Sequence, residues 1–179
     1  GYLSGTDAAM YPVMLQKPIV VANASAILTE NVFEIRYFDA VMVKEGSQSP
    51  NLALSGNLNL DSFFKPKYDI ELTGSDVYFK TLFGDIEGIV DLDLEVSGRD
   101  TILISGDIAP KEGVIRKEFT SSAVASVASE PGRVITHYQI HFPIQQEFLL
   151  QNSQVDAIVT GDISISKFGE SDSDFSGEL

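Results

Sequence analysis

The residues best suited to chemistry in this sequence are two histidines, His137 and His141, and a row of carboxylates, Asp91, Asp93 and Glu95. Histidines four apart share one face of a helix, which is a zinc-binding spacing when a Glu follows the first of them. Here Tyr138-Gln139-Ile140 intervenes without that Glu, and the segment alternates apolar and polar residues like a strand. Neighbouring strand residues project to opposite faces, so both imidazoles belong on the wet face opposite Ile140. The acidic row has the alternate spacing of calcium-loop ligands but lacks the central Gly and closing Glu of such a loop. It reads as the solvated face of a strand. Asp172 and Asp174, beside Ser171 and Ser173, form a further cation candidate in a polar hairpin tip at Gly169 to Ser173. Asn23-Ala24-Ser25 matches a glycosylation acceptor in form only.

Other chemistries find no residues. With no cysteine in the chain, disulfides, thiolate metal sites and Cys nucleophiles are excluded together. There is no phosphate-binding loop, no Gly-x-Ser-x-Gly elbow, and no set divisible into nucleophile, base and oxyanion donors. The expectation is a protein that is not an enzyme and holds no metal or cofactor. A formal charge of −14, from 26 acidic and 12 basic residues, opposes binding to nucleic acid and adsorption on anionic lipid headgroups. No apolar run approaches the roughly 20 residues that span a bilayer. The chain begins at Gly1 without Met and ends at Leu179 inside a strand-like phrase, so the expectation is a segment of a longer protein, with any anchor outside it.

The elements that position these residues are strands. From Asp85 to Ser97, Ile86, Gly88, Val90, Leu92, Leu94 and Val96 fall on one face. Asp85, Glu87, Asp91, Asp93, Glu95 and Ser97 fall on the other, with only Ile89 out of place. A helix would scatter this set around its circumference; a strand separates it into one dry and one wet face. The same parity recurs in Leu52, Leu54, Leu58 and Leu60, in Tyr68, Ile70 and Leu72, and in Ile102, Ile104 and Ile108. It returns in Tyr138, Ile140, Phe142 and Ile144 and in Val155, Val159, Ile163 and Ile165, and earlier in Phe33, Ile35 and Tyr37. Turn signals stand at Lys65-Pro66-Lys67, Gly74-Ser75-Asp76, Gly98-Arg99-Asp100, Pro110 to Gly113 and Pro131-Gly132. Ser121 to Ser129 reads as a loop. The expectation is one all-β unit over residues 1–179, with about ten to twelve strands.

A short phrase repeats at irregular spacing: Ser55-Gly56-Asn57-Leu58, Ser105-Gly106-Asp107-Ile108, Thr160-Gly161-Asp162-Ile163 and Ser176-Gly177-Glu178-Leu179. Its Gly falls on the dry face in the first three, where a missing side chain lets a sheet bend or a backbone approach. An amphipathic sheet must stack on a second sheet, close into a barrel, or curl over an apolar guest. An ordinary sandwich core and a lined groove both satisfy the alternation. The groove draws support from a Leu, Ile and Val lining without convergent polar groups, which would hold alkyl chains in no preferred register. Its lining would be Leu52, Leu54, Leu58, Leu60, Ile70, Leu72, Ile86, Val90, Leu92, Leu94, Val96, Ile102, Ile104 and Ile108, continued by Ile140, Phe142, Val155, Val159, Ile163 and Ile165.

The order of several phrases resembles the C-terminal domain of the TamB family, in the AsmA-like group of bacterial envelope proteins. The matching stretch runs from Gly56-Asn57-Leu58-Asn59-Leu60 through Tyr68 to Leu72, Gly88 to Leu94, Ile104 to Ile108 and Gly113-Val114-Ile115. It closes with Phe148 to Asn152 and Ala157 to Ile165, so that the resemblance covers about residues 51–179. It implies a long antiparallel or mixed sheet curled into an open half-pipe, the β-taco, with an apolar groove. It also implies the periplasm of a Gram-negative bacterium, with the full-length protein anchored in the inner membrane and membrane contact made outside this chain. The implied partners are phospholipid acyl chains moving between the membranes and a BamA-like outer-membrane barrel of the TamA type. The implied roles are lipid transfer and support of outer-membrane protein and autotransporter assembly. A scaffold acting by strand augmentation on such a barrel, without lipid conduction, is the alternative.

Overall fold

Strands account for most of the described residues. A computed structural model describes residues 1–46, 49–116, 118, 135–169 and 174–178. Its strands are β1 (Tyr2–Met10), β2 (Ile19–Thr29), β3 (Val32–Val41), β4 (Leu52–Asn59), β5 (Lys67–Lys80), β6 (Ile86–Gly98), β7 (Thr101–Ile115), β8 (Ile135–Gln151), β9 (Asp156–Lys167) and β10 (Asp174–Glu178). All ten form one curved sheet in sequence order, β1 to β10. There is no helix among the described residues. Neighbouring strands are antiparallel except β7 and β8, which run parallel. A parallel pair cannot be joined by a tight hairpin, unlike the antiparallel pairs elsewhere in the sheet. The expected loop at Ser121 to Ser129 and the turn at Pro131-Gly132 lie outside the described residues.

Two expected turns prove to be irregularities within continuous strands. Opposite the even residues of β6, Gly74 pairs with Leu92 but Val77 pairs with Val90, so β5 carries one extra residue at Ser75-Asp76. In β7, Pro110 pairs with Val90 and Glu112 with Ile89, so Lys111 is the extra residue there. Gly, Pro and charged residues at these places resemble turn signals because a bulge tolerates the same backbone features as a turn. Each bulge shifts the parity of the residues beyond it: the dry face of β5 passes from Leu72 and Gly74 to Val77 and Phe79. In β3 an extra residue between Ile35 and Phe38 places Phe38, not Tyr37, opposite Leu54. The regular alternation expected of Phe33, Ile35 and Tyr37 therefore fails at Tyr37.

The repeated Gly has a definite cause. Gly56 and Gly106 both have φ of +130°. A Cβ on Gly56 would lie 2.2 Å from the Asp69 carbonyl oxygen of β5, and one on Gly106 2.1 Å from that of Asp93 in β6. No side chain fits where the adjacent backbone comes that close. It is the neighbouring strand itself that approaches these glycines.

Burial is deepest near one set of strand ends, where Ala40, Met42, Leu52, Val77 and Val90 cluster. Because β4 is short, β3 reaches past it: the Tyr78 N–H donates to the Met42 carbonyl at 2.8 Å. The Asn51 side chain fills the gap, accepting from the Met42 N–H at 2.8 Å and donating to its carbonyl at 3.1 Å. Beyond this point the β1–β2 connection crosses to β5. Leu15 bridges Thr81, the Gln16 N–H donates to the Lys80 carbonyl, and the Leu82 N–H donates to the Met14 carbonyl. Leu15 packs on the buried cluster from this strap.

Candidate functional site: one apolar sheet face

Strand register brings most of the expected lining residues onto the same face. Phe38, Leu54, Leu72 and Leu94 lie opposite one another in successive strands, and the row passes through Gly106 to Ile140 and Ile165. One row nearer the β4–β5 turn, Gly56, Ile70, Val96 and Ile104 are opposed. Nearer the other end come Leu52, Gly74, Leu92 and Ile108, then Val77, Val90 and Pro110. Leu58 stands opposite Tyr68, Ile86 opposite Ile115, Phe142 opposite Ile163, and Val159 opposite Phe148.

Exposure along this face is graded. Leu52, Val90 and Ile102 are buried, while Leu54, Leu72, Leu94, Ile140, Phe142 and Ile165 are half-buried. Each strand packs chiefly on its sequence neighbours rather than on a strand from across the sheet. Two of the expected lining residues lie outside the strands. Val155, in the turn before β9, is 37% exposed, its carbonyl accepting from the Asn152 N–H. Leu60 follows the end of β4, its N–H donating to the Asn31 carbonyl. Their parity matches the dry face, but a turn breaks the relation between parity and direction.

The polar face carries networks that alternation alone does not locate. Asp76, Asp91 and Lys111 come together because the bulges of β5 and β7 flank Asp91 of β6. Lys111 Nζ lies 2.8 Å from an oxygen of each carboxylate, and the Asp76 N–H donates to Asp91 at 2.8 Å. Partial burial works against ionisation of Asp91, but the bonds from Lys111 and the Asp76 N–H outweigh it and lower its pKa. Hydrogen bonds to Asp76 and Asp91 raise that of Lys111. Of the expected acidic row, Asp91 is thus engaged in a strand-joining contact, while Asp93 and Glu95 are exposed.

His141 sits between carboxylates on the strands either side of it. Its Nδ1 is 2.7 Å from Asp107 Oδ1 on β7, and its Nε2 contacts Asp162 Oδ1 on β9. These two bonds, Asp107 first, raise the imidazole pKa above its usual 6.5. His137 instead packs edge-on against Phe168, ring centroids 5.3 Å apart. The two histidines share a face, as their parity requires, but not a site. Asp107 and Asp162 belong to the repeated Gly-Asp phrase, which is the signal that could have paired them with His141.

A third network centres on Glu87 of β6. Lys80 approaches it at 3.1 Å, Lys44 at 3.7 Å and Arg116 at 3.9 Å, while the Tyr78 hydroxyl donates to it at 2.9 Å. Bonds from Lys80 and Tyr78 lower the Glu87 pKa; burial, followed by the bond to Glu87, raises that of Tyr78. Among the described residues no three His, Asp or Glu side chains converge as a metal site. Of the calcium candidate at the hairpin tip, Ser171, Asp172 and Ser173 lie outside the described residues, and Asp174 opens β10. No protein-family model, curated protein or solved structure matches the chain.

Proposed function

We propose that the dry face of the sheet is the wall of an open half-pipe that conducts phospholipid acyl chains, within a TamB-like protein of the Gram-negative periplasm. The observation that carries this reading is the row Phe38, Leu54, Leu72, Leu94, Ile140 and Ile165, which crosses from β3 to β9 with half-buried side chains. In a sandwich, the inner face of such a sheet is covered by a second sheet about 10 Å away. Here the ten strands form one sheet in sequence order. Apolar attraction has no preferred register, so an alkyl chain held at about 0.8 kcal/mol per buried CH₂ slides with little change in energy. Ten strands spaced by about 4.8 Å make a wall about 45 Å long across the strands.

The phrase order that resembles the TamB family supports placing this wall between inner and outer membranes, with a BamA-like barrel as partner and support of outer-membrane protein assembly as a consequence. Co-purified lipid seen by native mass spectrometry, and lost in Leu94→Arg with the strand content unchanged, is the expected result. A chain that carries no lipid and takes up none from detergent micelles contradicts conduction.

One observation favours the scaffold reading in addition. The sheet ends in β1 and β10, and every residue of β1 is exposed, with Tyr2 67% and Leu3 64% accessible. An unpaired apolar edge is a template for another strand. Proline in place of Ser176 in β10 tests the opposite edge: loss of barrel binding with lipid uptake retained supports augmentation there, and unchanged binding contradicts it.

A further inference from the structure

The strand ends beside Glu87 carry an apolar tip that neither face of the sheet requires. Tyr11, Val13 and Met14 of the strap are 79%, 84% and 71% exposed, and Phe83 of the β5–β6 turn is 87% exposed. These are not loose loops. The Leu82 N–H bonds the Met14 carbonyl, the Gln16 side chain bonds the Leu82 carbonyl at 2.9 Å, and Gly84 closes its own turn on Thr81. Two connections from distant parts of the chain are thus stitched into one prominence whose side chains project into solvent. Exposed apolar side chains gathered in this way suit a contact surface.

Immediately behind the tip the acidic excess of the chain disappears. Lys44, Lys80 and Arg116 surround Glu87, and Lys17 lies over the Tyr78 ring, its Nζ 5.0 Å from the centroid. Against these four cations stand Glu87 and, at the same strand ends, Glu45, Asp85 and Glu118, a balance of zero (4 − 4 = 0) on a chain of net −14. Glu112, the next carboxylate back along β7, brings that balance only to −1 (4 − 5 = −1). Lys44, Tyr78, Glu87, Glu112 and Arg116 also line an open cleft of about 260 Å³. Apolar and aromatic side chains ahead of a cationic collar match the depth profile of a phospholipid interface, where acyl chains lie below a layer of phosphates.

We infer that this edge docks on a phospholipid bilayer, with Val13, Met14 and Phe83 entering the acyl region and Lys44, Lys80 and Arg116 meeting lipid phosphates. The docking stands independently of acyl-chain conduction, since it uses the strand ends and the wet face. Net charge alone opposes headgroup contact; the clustering of cations at one edge is the feature that permits it.

The chain has no Trp, so Phe83→Trp supplies a single fluorescent reporter at an exposed position. Its emission is expected to shift to the blue on vesicles of phosphatidylcholine mixed with phosphatidylglycerol. Phe64→Trp, at the opposite strand ends and 92% exposed in the native residue, is expected to stay at the wavelength of water. Phe83→Asp is expected to weaken vesicle co-sedimentation by about tenfold or more, and Lys44→Gln with Lys80→Gln to weaken it and reduce its salt dependence, both with unchanged circular dichroism. No shift and no co-sedimentation overturns the inference. So does an equal shift at both reporters, which is adsorption without a docking edge. Self-association abolished by Phe83→Asp without vesicle binding also overturns it, assigning the tip to a second copy of the chain.

Discussion

Asp91 and Lys111 meet at 2.8 Å across β6 and β7, where the strands flanking β6 each contain one extra residue. The aligned bulges bend the sheet and leave unpaired backbone, and the Asp76 N–H released by one of them is taken up by the Asp91 carboxylate. The contact is thus the seam at which two irregular strands are held to a regular one.

Removing that acceptor has a selective cost. Asp91→Ala is expected to lower unfolding free energy by roughly 1 kcal/mol, because it strips partners from both Lys111 and the Asp76 N–H. Asp93→Ala, at an exposed position two residues along the same face, is expected to change it by less than about 0.5 kcal/mol. Urea unfolding of the two variants checks the contrast, and equal effects contradict a structural role for the bulge network.

The glycines of the repeated phrase give a sharper contrast. Gly106→Ala places a Cβ 2.1 Å from the Asp93 carbonyl at φ +130°. Strained backbone of this kind costs of order 1–3 kcal/mol before the clash is counted, so a loss of roughly 3 kcal/mol or a failure to fold is expected. A Cβ on Gly5 in β1 meets nothing within 4 Å. Gly5→Ala is therefore expected to be neutral in thermal melting. Tolerance of Gly106→Ala contradicts the close strand approach.

His141 makes stability depend on pH in a stated direction. Asp107 and Asp162 favour the imidazolium, so its folded-state pKa lies above the unfolded value of 6.5. The stabilisation is fully present below that unfolded value and is lost as pH rises through the folded one. The melting-temperature gap between the native chain and His141→Gln is expected to be larger near about pH 5.5 than near about pH 9. A gap that is constant, or that widens in alkali, contradicts the clamp.

How far these features are legible from sequence differs by kind. The dry face of β6 is fully readable, because its alternation from Ile86 to Val96 is uninterrupted in the structure. Parity misplaces Tyr37, and Gly74-Ser75-Asp76 and Pro110 to Gly113 look like turns, because a bulge uses turn residues while the strand continues. Parity also assigns Val155 to a strand that begins one residue later. The polar networks are legible only in part: the repeated Gly-Asp phrase marks Asp107 and Asp162 as equivalent, but nothing local names their partner. Asp107, His141 and Asp162 are brought together by strand order and by the parallel pairing of β7 with β8, neither of which a local pattern encodes. The strap is invisible for the same reason, since Leu15 and Thr81 meet only once the chain has folded.

The most direct test places a photo-crosslinking residue at Leu94, on the dry face of β6, and in a second protein at Glu95, its neighbour on the wet face. Both proteins are irradiated in cells or with bilayer vesicles, and covalent phospholipid adducts are measured by mass spectrometry. Adducts at Leu94 and few or none at Glu95 are expected if acyl chains travel along the row of Leu54, Leu72, Leu94 and Ile140. Equal labelling at both positions, or none at Leu94, contradicts the conducting wall.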